Sequence, residues 1–173
     1  MNLALFYPSA ILAAVRRWLL PAARKPDAVE QAEAALLQRP QVNIPLTHRF
    51  APGVYWREVF MPKDTFVIGH RHLTEHFNVI LTGKARVMMD GVIHDIVAPC
   101  VLKSDPGVRK VLYIVEDMRW ATVHPTTETD LERLEELLIV KSDSFVKHQL
   151  ADMERLRASM AAQPMEVLCP GSQ

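Results

Sequence analysis

The sequence predicts a mainly β fold, an antiparallel barrel or sandwich with helical extensions at both ends. Two observations carry this prediction. Between Val42 and Val123, short β-branched and aromatic runs alternate with Gly, Pro and Asp, and helical periodicity appears only before and after this region. No helical stretch separates the strands, which disfavours a parallel sheet. We predict eight strands, at 54–61, 65–71, 76–82, 84–89, 92–97, 99–103, 108–115 and 119–124.

The residues before the strands predict two helices, at 8–20 and 27–38, separated by prolines. The apolar run of the first helix is interrupted by Arg16 and Arg17 and is too short to span a bilayer. A secretory signal would carry its positive charge before the apolar run. We favour an amphipathic helix that packs on a neighbouring surface. A membrane-surface anchor is the weaker alternative, because few cations lie nearby.

Within the β region, Asp90-Gly91 between two apolar runs predicts a two-residue hairpin. After Pro125 the periodicity is helical again, with four leucines on one face of the first helix and a second helix at 142–162. The 173 residues suffice for one domain of ordinary size. We therefore divide the chain into an N-terminal helical extension at 1–41, a β-barrel at 42–125 and a C-terminal helical extension at 126–173.

Composition excludes several classes of function. Lys plus Arg and Asp plus Glu both number 20, aromatic residues make up 7%, and no basic run appears, so we expect no nucleic-acid binding. Cys100 and Cys169 are far apart and form no CxxC pair. Free thiols in a reducing, cytoplasmic setting are the expectation. No Ser-His-Asp order or phosphate-binding glycine loop supports a hydrolase or kinase.

Three of the seven histidines lie within seven residues: His70, His72 and His76. Their spacings are even, so all three rings can face one side if the segment is extended or forms two strands joined by a tight turn. Imidazoles clustered on one face of a β scaffold are ligands for a divalent transition metal such as Fe, Mn, Ni or Zn. Three histidine ligands would leave coordination positions open.

These residues resemble the first motif of the cupin family, G-x5-H-x-H-x3,4-E-x6-G. His70-x-His72 supplies the paired histidines, and His76 stands in the place of the glutamate, six residues before Gly83. The first glycine of the motif is absent. The resemblance covers roughly Val54 to His124 and implies a small jelly-roll barrel, a metal bound by His70, His72 and His76, and a homo-oligomer joined through the barrel and the helical extensions.

The second cupin motif is degenerate. Counting from Pro106-Gly107, the family's fourth ligand falls on Lys110. An ammonium about 4 Å from a dication would be repelled by several kcal/mol at an effective dielectric near 20. Lys110 therefore points elsewhere, is neutral or binds an anionic substrate group, or the pocket holds no metal. His124, at the end of the last predicted strand, is a candidate fourth ligand; as a lone strand-end histidine it equally fits a structural role.

Other residues near the motif are candidates for the pocket. Glu75 is a candidate second-sphere carboxylate or general base. It lies an odd number of residues from each of the three histidines, so on a regular strand its side chain would face away from theirs. Asn78 lies an even number of residues from His76 and is expected either to line the pocket or to satisfy the hydrogen bonds of a strand end. Arg109 or Lys110 is expected to line it too and to hold a substrate carboxylate.

The resemblance implies two classes of function. One is a metal-dependent oxygenase, isomerase or lyase that acts on a small acid. The alternative is a non-catalytic oligomeric structural or assembly protein, because segments such as Ala-Pro-Cys and Trp-Ala-Thr-Val-His-Pro resemble cupin-like proteins of phages and prophages. On that alternative the protein would be a virion component rather than a cytoplasmic one. A ligand-sensing module without catalysis lies between the two.

Overall fold

The computed structural model describes residues 27–162, with side chains described for 27–159. The helix predicted at 8–20 lies outside the described residues. The elements follow in the order α1 (Ala28–Leu36), β1 (Leu46–Ala51), β2 (Val54–Met61), β3 (Phe66–Ile68), β4 (Arg71–His72), β5 (His76–Met89), β6 (Val92–Val97), β7 (Cys100–Ser104), β8 (Lys110–Pro125), α2 (Leu131–Leu138), β9 (Ile139–Val140) and α3 (Asp143–Ala162).

Two long strands, β5 and β8, form the centre of the fold and pair antiparallel along most of their lengths. Register shifts between Ile80 and Ala85 divide this pair into two halves. The first half of β5 and the second half of β8 pair with β7 and β2, and β1 extends this layer. The other halves pair with β6 and β3. The strands thus form a rolled antiparallel barrel, and the predicted mainly β fold with flanking helices is confirmed.

Gly83 lies where β5 passes from one half to the other. Its φ is +90°, and a Cβ atom there would overlap the backbone carbonyl of Asp117 on β8. Only glycine combines this backbone conformation with such a close approach of two strands. The glycine that closes the histidine motif therefore has a structural role in the bend.

The predicted hairpin at Asp90-Gly91 is present, with φ of 51° and 80°, the positive values that a type I′ turn requires. Two pairs of predicted strands are each one continuous strand: 76–82 with 84–89 in β5, and 108–115 with 119–124 in β8. β1 was not predicted, since it is an edge strand whose residues are nearly all exposed and show no apolar alternation.

Side chains from both halves of the barrel meet in one core. The inward positions of β5 and β8 alternate with outward ones, as expected for strands with one buried face. Burying each large apolar side chain contributes roughly 1.5–3 kcal/mol. The buried members are Met61, Ile80, Ala85, Val87, Ile96, Leu112, Ile114, Met118 and Trp120.

A buried carboxylate, Glu33 of α1, joins the helical extensions to the barrel. Arg109 Nη2 lies 2.5 Å from Glu33 Oε1, and Ser142 Oγ donates a hydrogen bond of 2.5 Å to Glu33 Oε2. The Arg109 and Glu33 side chains are only 9% and 6% exposed. One ion pair thus ties α1 and the residue just before α3 to the start of β8.

The first helix of the C-terminal extension, α2, also contacts the barrel. Leu134 and Leu138 of α2 pack on Tyr55 of β2. The main sheet itself runs from Leu46 to Pro125. Among residues 27–162, we find no helix that is long and apolar enough to cross a membrane.

Candidate metal centre

A row of four buried side chains crosses the inner face of the barrel at one end. Tyr55 on β2 is opposite His124 on β8, and His76 on β5 is opposite Ser104 on β7. Because Phe77 pairs with Val123, His76 and His124 are also neighbours across the two central strands. The strand alternation turns both imidazoles inward, where they are only 3% and 1% exposed.

His72 reaches the same place from a different element. It belongs to the two-residue strand β4, which pairs with β9 so that His72 is opposite Ile139. The Leu73 N–H also donates a hydrogen bond of 2.8 Å to the carbonyl of Leu138. The C-terminal extension therefore fixes the backbone that carries His72.

The three imidazoles of His72, His76 and His124 form a compact group, which we call the histidine triad. One nitrogen from each lies within 4.8 Å of the others. The ring centroids are 4.2, 4.8 and 5.4 Å apart. Three imidazoles on one ion at metal–nitrogen distances of about 2.0–2.1 Å would place their centroids roughly 4.5–5.2 Å apart. The spacing fits a shared ion, although the nearly parallel rings must turn for their nitrogens to converge.

The hydrogen bonds leave one nitrogen of each ring free for a ligand role. His76 Nδ1 lies 2.9 Å from the Thr74 carbonyl, which can only accept, so Nδ1 carries the proton and Nε2 carries the lone pair. His76 Nε2, His72 Nδ1 and His124 Nδ1 are buried and have no hydrogen-bond partner within the described part of the chain. Buried polar atoms are rarely left unpaired, so these atoms suit a metal ion.

Burial also keeps the rings neutral. Loss of solvation is the main cause that lowers the pKa of His72 to about 2 and that of His124 to about 4, and it lowers the pKa of His76 as well. Repulsion from neighbouring imidazoles adds to the effect at His72 and His124. At neutral pH the three rings are therefore in the form that binds metal.

His70 is not brought into the triad. Its ring packs edge-on against Phe145 of α3, with a centroid distance of 4.6 Å. β3 ends at Ile68 and β4 begins at Arg71, so His70 lies between two strands and the parity argument does not extend to it. The triad contains His124 instead, the candidate fourth ligand.

Two of the other predicted pocket residues are engaged elsewhere. Glu75 has a side chain that is 59% exposed and pairs with Lys103 at 2.9 Å, in keeping with its odd parity. Its catalytic role stays a prediction. Arg109 does hold a carboxylate, but it is that of Glu33.

Asn78 and Lys110 lie inside the barrel, as predicted. Asn78 accepts a hydrogen bond of 3.0 Å from Trp120 Nε1 and donates one of 2.9 Å to Ser104 Oγ. This buried network joins β5, β7 and β8 next to the triad residues of the central strands. Lys110 is 8% exposed, and loss of solvation lowers its pKa to about 8. Its ammonium also lowers the pKa of His72 and His76, so its charge acts on the triad.

Two cavities adjoin the triad. The larger, which we call the barrel cavity, has a volume of about 320 Å³ and is lined by His70, His72, Asn78 and Lys110 together with apolar core residues. The smaller, the mouth cavity, has a volume of about 250 Å³ and lies between the triad and α2. His72 and Arg57 line both cavities.

Sequence reasoning missed Arg57 and Tyr55. Both lie at inward positions of β2, and the ring of Tyr55 stacks 6.1 Å from that of His124. The sequence did contain a signal for these two residues, the alternation of side chains between the two faces of a strand. Within the strand predicted at 54–61, Tyr55, Arg57 and Val59 share one face, and an arginine on an inward face is unusual.

Comparisons with known proteins found likeness in structure. No protein-family model and no curated protein matches the chain. Similar solved structures include an RmlC-like cupin family protein from Methanocaldococcus jannaschii (11% identity, 50% of this chain and 84% of that chain, TM-score 0.42). A cupin superfamily protein from Desulfitobacterium hafniense is also similar (15% identity, 61% of this chain and 94% of that chain, TM-score 0.42). A predicted oxalate decarboxylase from Thermotoga maritima is similar as well (14% identity, 48% of this chain and 81% of that chain, TM-score 0.41). Two of these three are named cupins, the family that the histidine motif resembles.

The protonation state of the triad predicts a specific pH dependence for metal-free protein. Unfolded histidines titrate near pH 6.5, whereas His72 and His124 stay neutral in the folded state until about pH 2 and 4. Below pH 6.5 the unfolded state therefore binds more protons than the folded state. The free energy of unfolding is therefore expected to decrease as the pH is lowered. The unfolding constant should rise by up to tenfold for each histidine per unit decrease in pH.

Urea unfolding at pH 7.5, 6.0 and 5.0, followed by tryptophan fluorescence, measures this dependence. A His124→Asn variant should show a shallower dependence, since it removes one of the titrating groups. Equal slopes in the variant and the parent protein would contradict the assignment.

Proposed function

We propose that the chain binds one divalent transition metal ion through His72, His76 and His124. The observation that carries this proposal is the convergence of three buried, neutral imidazoles whose free nitrogens lie within 4.8 Å of one another. The resemblance of the motif to cupins supports metal binding in this region, although of the three ligands proposed here it implies only His72 and His76. Fe, Ni and Zn suit an imidazole donor set, whereas Mn, the remaining candidate, generally prefers oxygen ligands.

We further propose that the bound ion serves a reaction on a small acid, of the oxygenase, isomerase or lyase class. With three histidine ligands, an ion would keep open positions and supply Lewis-acid activation of a bound group. The barrel cavity lies beside the triad and is large enough for a small molecule. Lys110 would place a cationic group next to a bound acid, which fits its buried position at the degenerate second motif.

Metal analysis of the full chain tests the proposal. Protein purified without an affinity tag or a chelator should contain about one equivalent of a transition metal, and dialysis against a chelator should remove it. Returning the preferred metal should raise the melting temperature, because a ligand that binds only the folded state stabilises that state. Protein that stays metal-free in the presence of each of the four ions would overturn the proposal.

An outward face of the barrel supports the proposal of a homo-oligomer. Phe77 on β5 and Val101 on β7 are 54% and 62% exposed, and Trp56 and Val123 lie on the same outer side. Exposed apolar patches of this kind often mark association surfaces. The same surface would serve the alternative function, in which the barrel is a component of a larger assembly.

Phe77→Asp is expected to lower the molar mass in solution to that of the monomer, because it replaces the exposed aromatic ring of this face with a charged side chain. Size-exclusion chromatography with light scattering measures the mass. Ile93→Asp is the control, since Ile93 is 68% exposed on β6 and lies on the other half of the barrel. A monomeric parent protein, or equal masses for both variants and the parent, would contradict the proposed surface.

A further inference from the structure

Arg57 is an arginine on the inner face of the barrel. It lies between Tyr55 and Val59 on β2, opposite Thr122 of β8, and its side chain lines both cavities beside the triad. Loss of solvation is the main cause that lowers its pKa. Its charge in turn lowers the pKa of His70, His72 and His124, so the guanidinium acts on this whole end of the barrel.

Within residues 27–159, Arg57 forms no ion pair, and neither does Lys110. Other arginines of the barrel are used differently: the buried Arg109 pairs with Glu33, and the exposed Arg119 pairs with Glu58. A cation held away from water without a carboxylate partner is costly. Arg57 and Lys110 interact with carboxylates only at longer range, with Glu135 and Asp90 respectively, so each can take an anionic ligand as a direct partner.

The composition of the barrel cavity strengthens this argument. Its lining contains two cations, Arg57 and Lys110, two histidines and no Asp or Glu. The two acidic residues that line the mouth cavity, Glu132 and Glu135, belong to α2. The lining of the barrel cavity therefore carries a net positive charge, which a bound anion would balance.

The remainder of the barrel cavity is apolar. Its wall consists of aliphatic and aromatic side chains from the strands, closed on one side by α3. They include Ile44, Val59, Met61, Val67, Leu112, Trp120 and Phe145. At about 320 Å³, the cavity is near the lower end of the range for small-molecule sites. A ligand that fills it must combine a small anionic head with a compact apolar body.

We propose that Arg57 is the anchor for the carboxylate of a compact apolar carboxylic acid in the barrel cavity. The guanidinium binds the two carboxylate oxygens in parallel, the geometry for which arginine is suited. The apolar body lies against Trp120 and Phe145, and the carboxylate lies beside the triad. This inference rests on the proposed function for the ligand's place in catalysis, but the anchor itself needs no bound metal.

Calorimetric titration of the full chain with hexanoate tests the proposal, because hexanoate has the charge and the apolar body that the cavity requires. Hexanamide is the matched probe without charge. Metal-free protein is expected to bind hexanoate at least tenfold more tightly than hexanamide, since hydrogen bonds to a charged group are stronger than neutral ones. Equal affinities, or no binding of hexanoate, would overturn the proposal.

Variants locate the anchor. Arg57→Gln is expected to weaken hexanoate binding about tenfold to a hundredfold and to leave hexanamide binding unchanged, while Arg57→Lys restores part of the affinity. Arg86→Gln is the control, because Arg86 pairs with Asp95 on the surface and its side chain is 63% exposed. Unchanged hexanoate binding in Arg57→Gln would overturn the proposal.

Two further measurements distinguish a failure of the proposed anchor from a failure of the proposed metal function. Inorganic phosphate is expected to bind more weakly than hexanoate, and tighter binding of phosphate would overturn the assignment to an apolar acid. The metal content of Arg57→Gln should equal that of the parent protein. Loss of hexanoate binding with metal retained supports the anchor. Hexanoate binding by a chain that takes up no metal would defeat the proposed metal function and leave the anchor standing.

Discussion

Replacing His76 with alanine is expected to reduce the bound metal from about one ion per chain to nearly none. His76 is the best-defined member of the triad, because its hydrogen bond to Thr74 directs Nε2 into the group. Removing one of three ligands leaves two imidazoles, too few for a tight site of this type. Elemental analysis of protein from metal-supplemented cultures measures the change, and circular dichroism shows whether the fold is kept.

His94→Ala is the matched control, since His94 is exposed on β6 and belongs to no metal-type cluster among the described residues. It should retain the metal content of the parent protein. The structure also separates the two candidate triads. His124→Ala should lose metal as His76→Ala does, whereas His70→Ala should keep most of it. Loss in His70→Ala with retention in His124→Ala would favour the ligand set that the sequence motif implied.

Replacing Glu33 with alanine is expected to lower the free energy of unfolding by roughly 3–5 kcal/mol, the usual cost of breaking a buried ion pair. The substitution leaves the Arg109 guanidinium buried without its partner and removes the acceptor of the Ser142 hydroxyl. Urea denaturation of the metal-free protein at neutral pH measures the loss.

Glu75→Ala provides the comparison, because Glu75 pairs with Lys103 on the surface. That substitution should cost less than about 1 kcal/mol. The double variant Glu33→Met/Arg109→Met should be more stable than Glu33→Ala, since it leaves no unpaired charge. Equal losses in Glu33→Ala and Glu75→Ala would show that the buried pair does not hold the extensions in place.

The fold could be predicted from the sequence where the signals are local. The turn at Asp90-Gly91 and the β-branched and aromatic runs of β2 and β6 are properties of adjacent residues, and the structure has these elements where they were predicted. The continuity of β5 was missed because Gly83 resembles a turn, and that of β8 because Glu116-Asp117 interrupts the apolar run. The role of Gly83 depends on Asp117, which comes close only in the folded barrel.

The site was only partly predictable for the same reason. Parity correctly placed Asn78 inside and Glu75 outside, since both are next to or within β5. It could not place His70, because the strand is interrupted between Ile68 and Arg71. His124 joins the triad through the pairing of β8 with β5, a relation between residues 48 positions apart that no local pattern reveals.

The short pairing of β4 with β9 has a consequence for how the site is built. Two members of the triad stand on the central strands of the barrel, but the third depends on residues that follow the barrel in the chain. We therefore expect changes in the C-terminal extension to alter the affinity of the proposed metal site without altering the core. The barrel strands carry two of the three histidines, and the pairing of β9 with β4 helps to position the third.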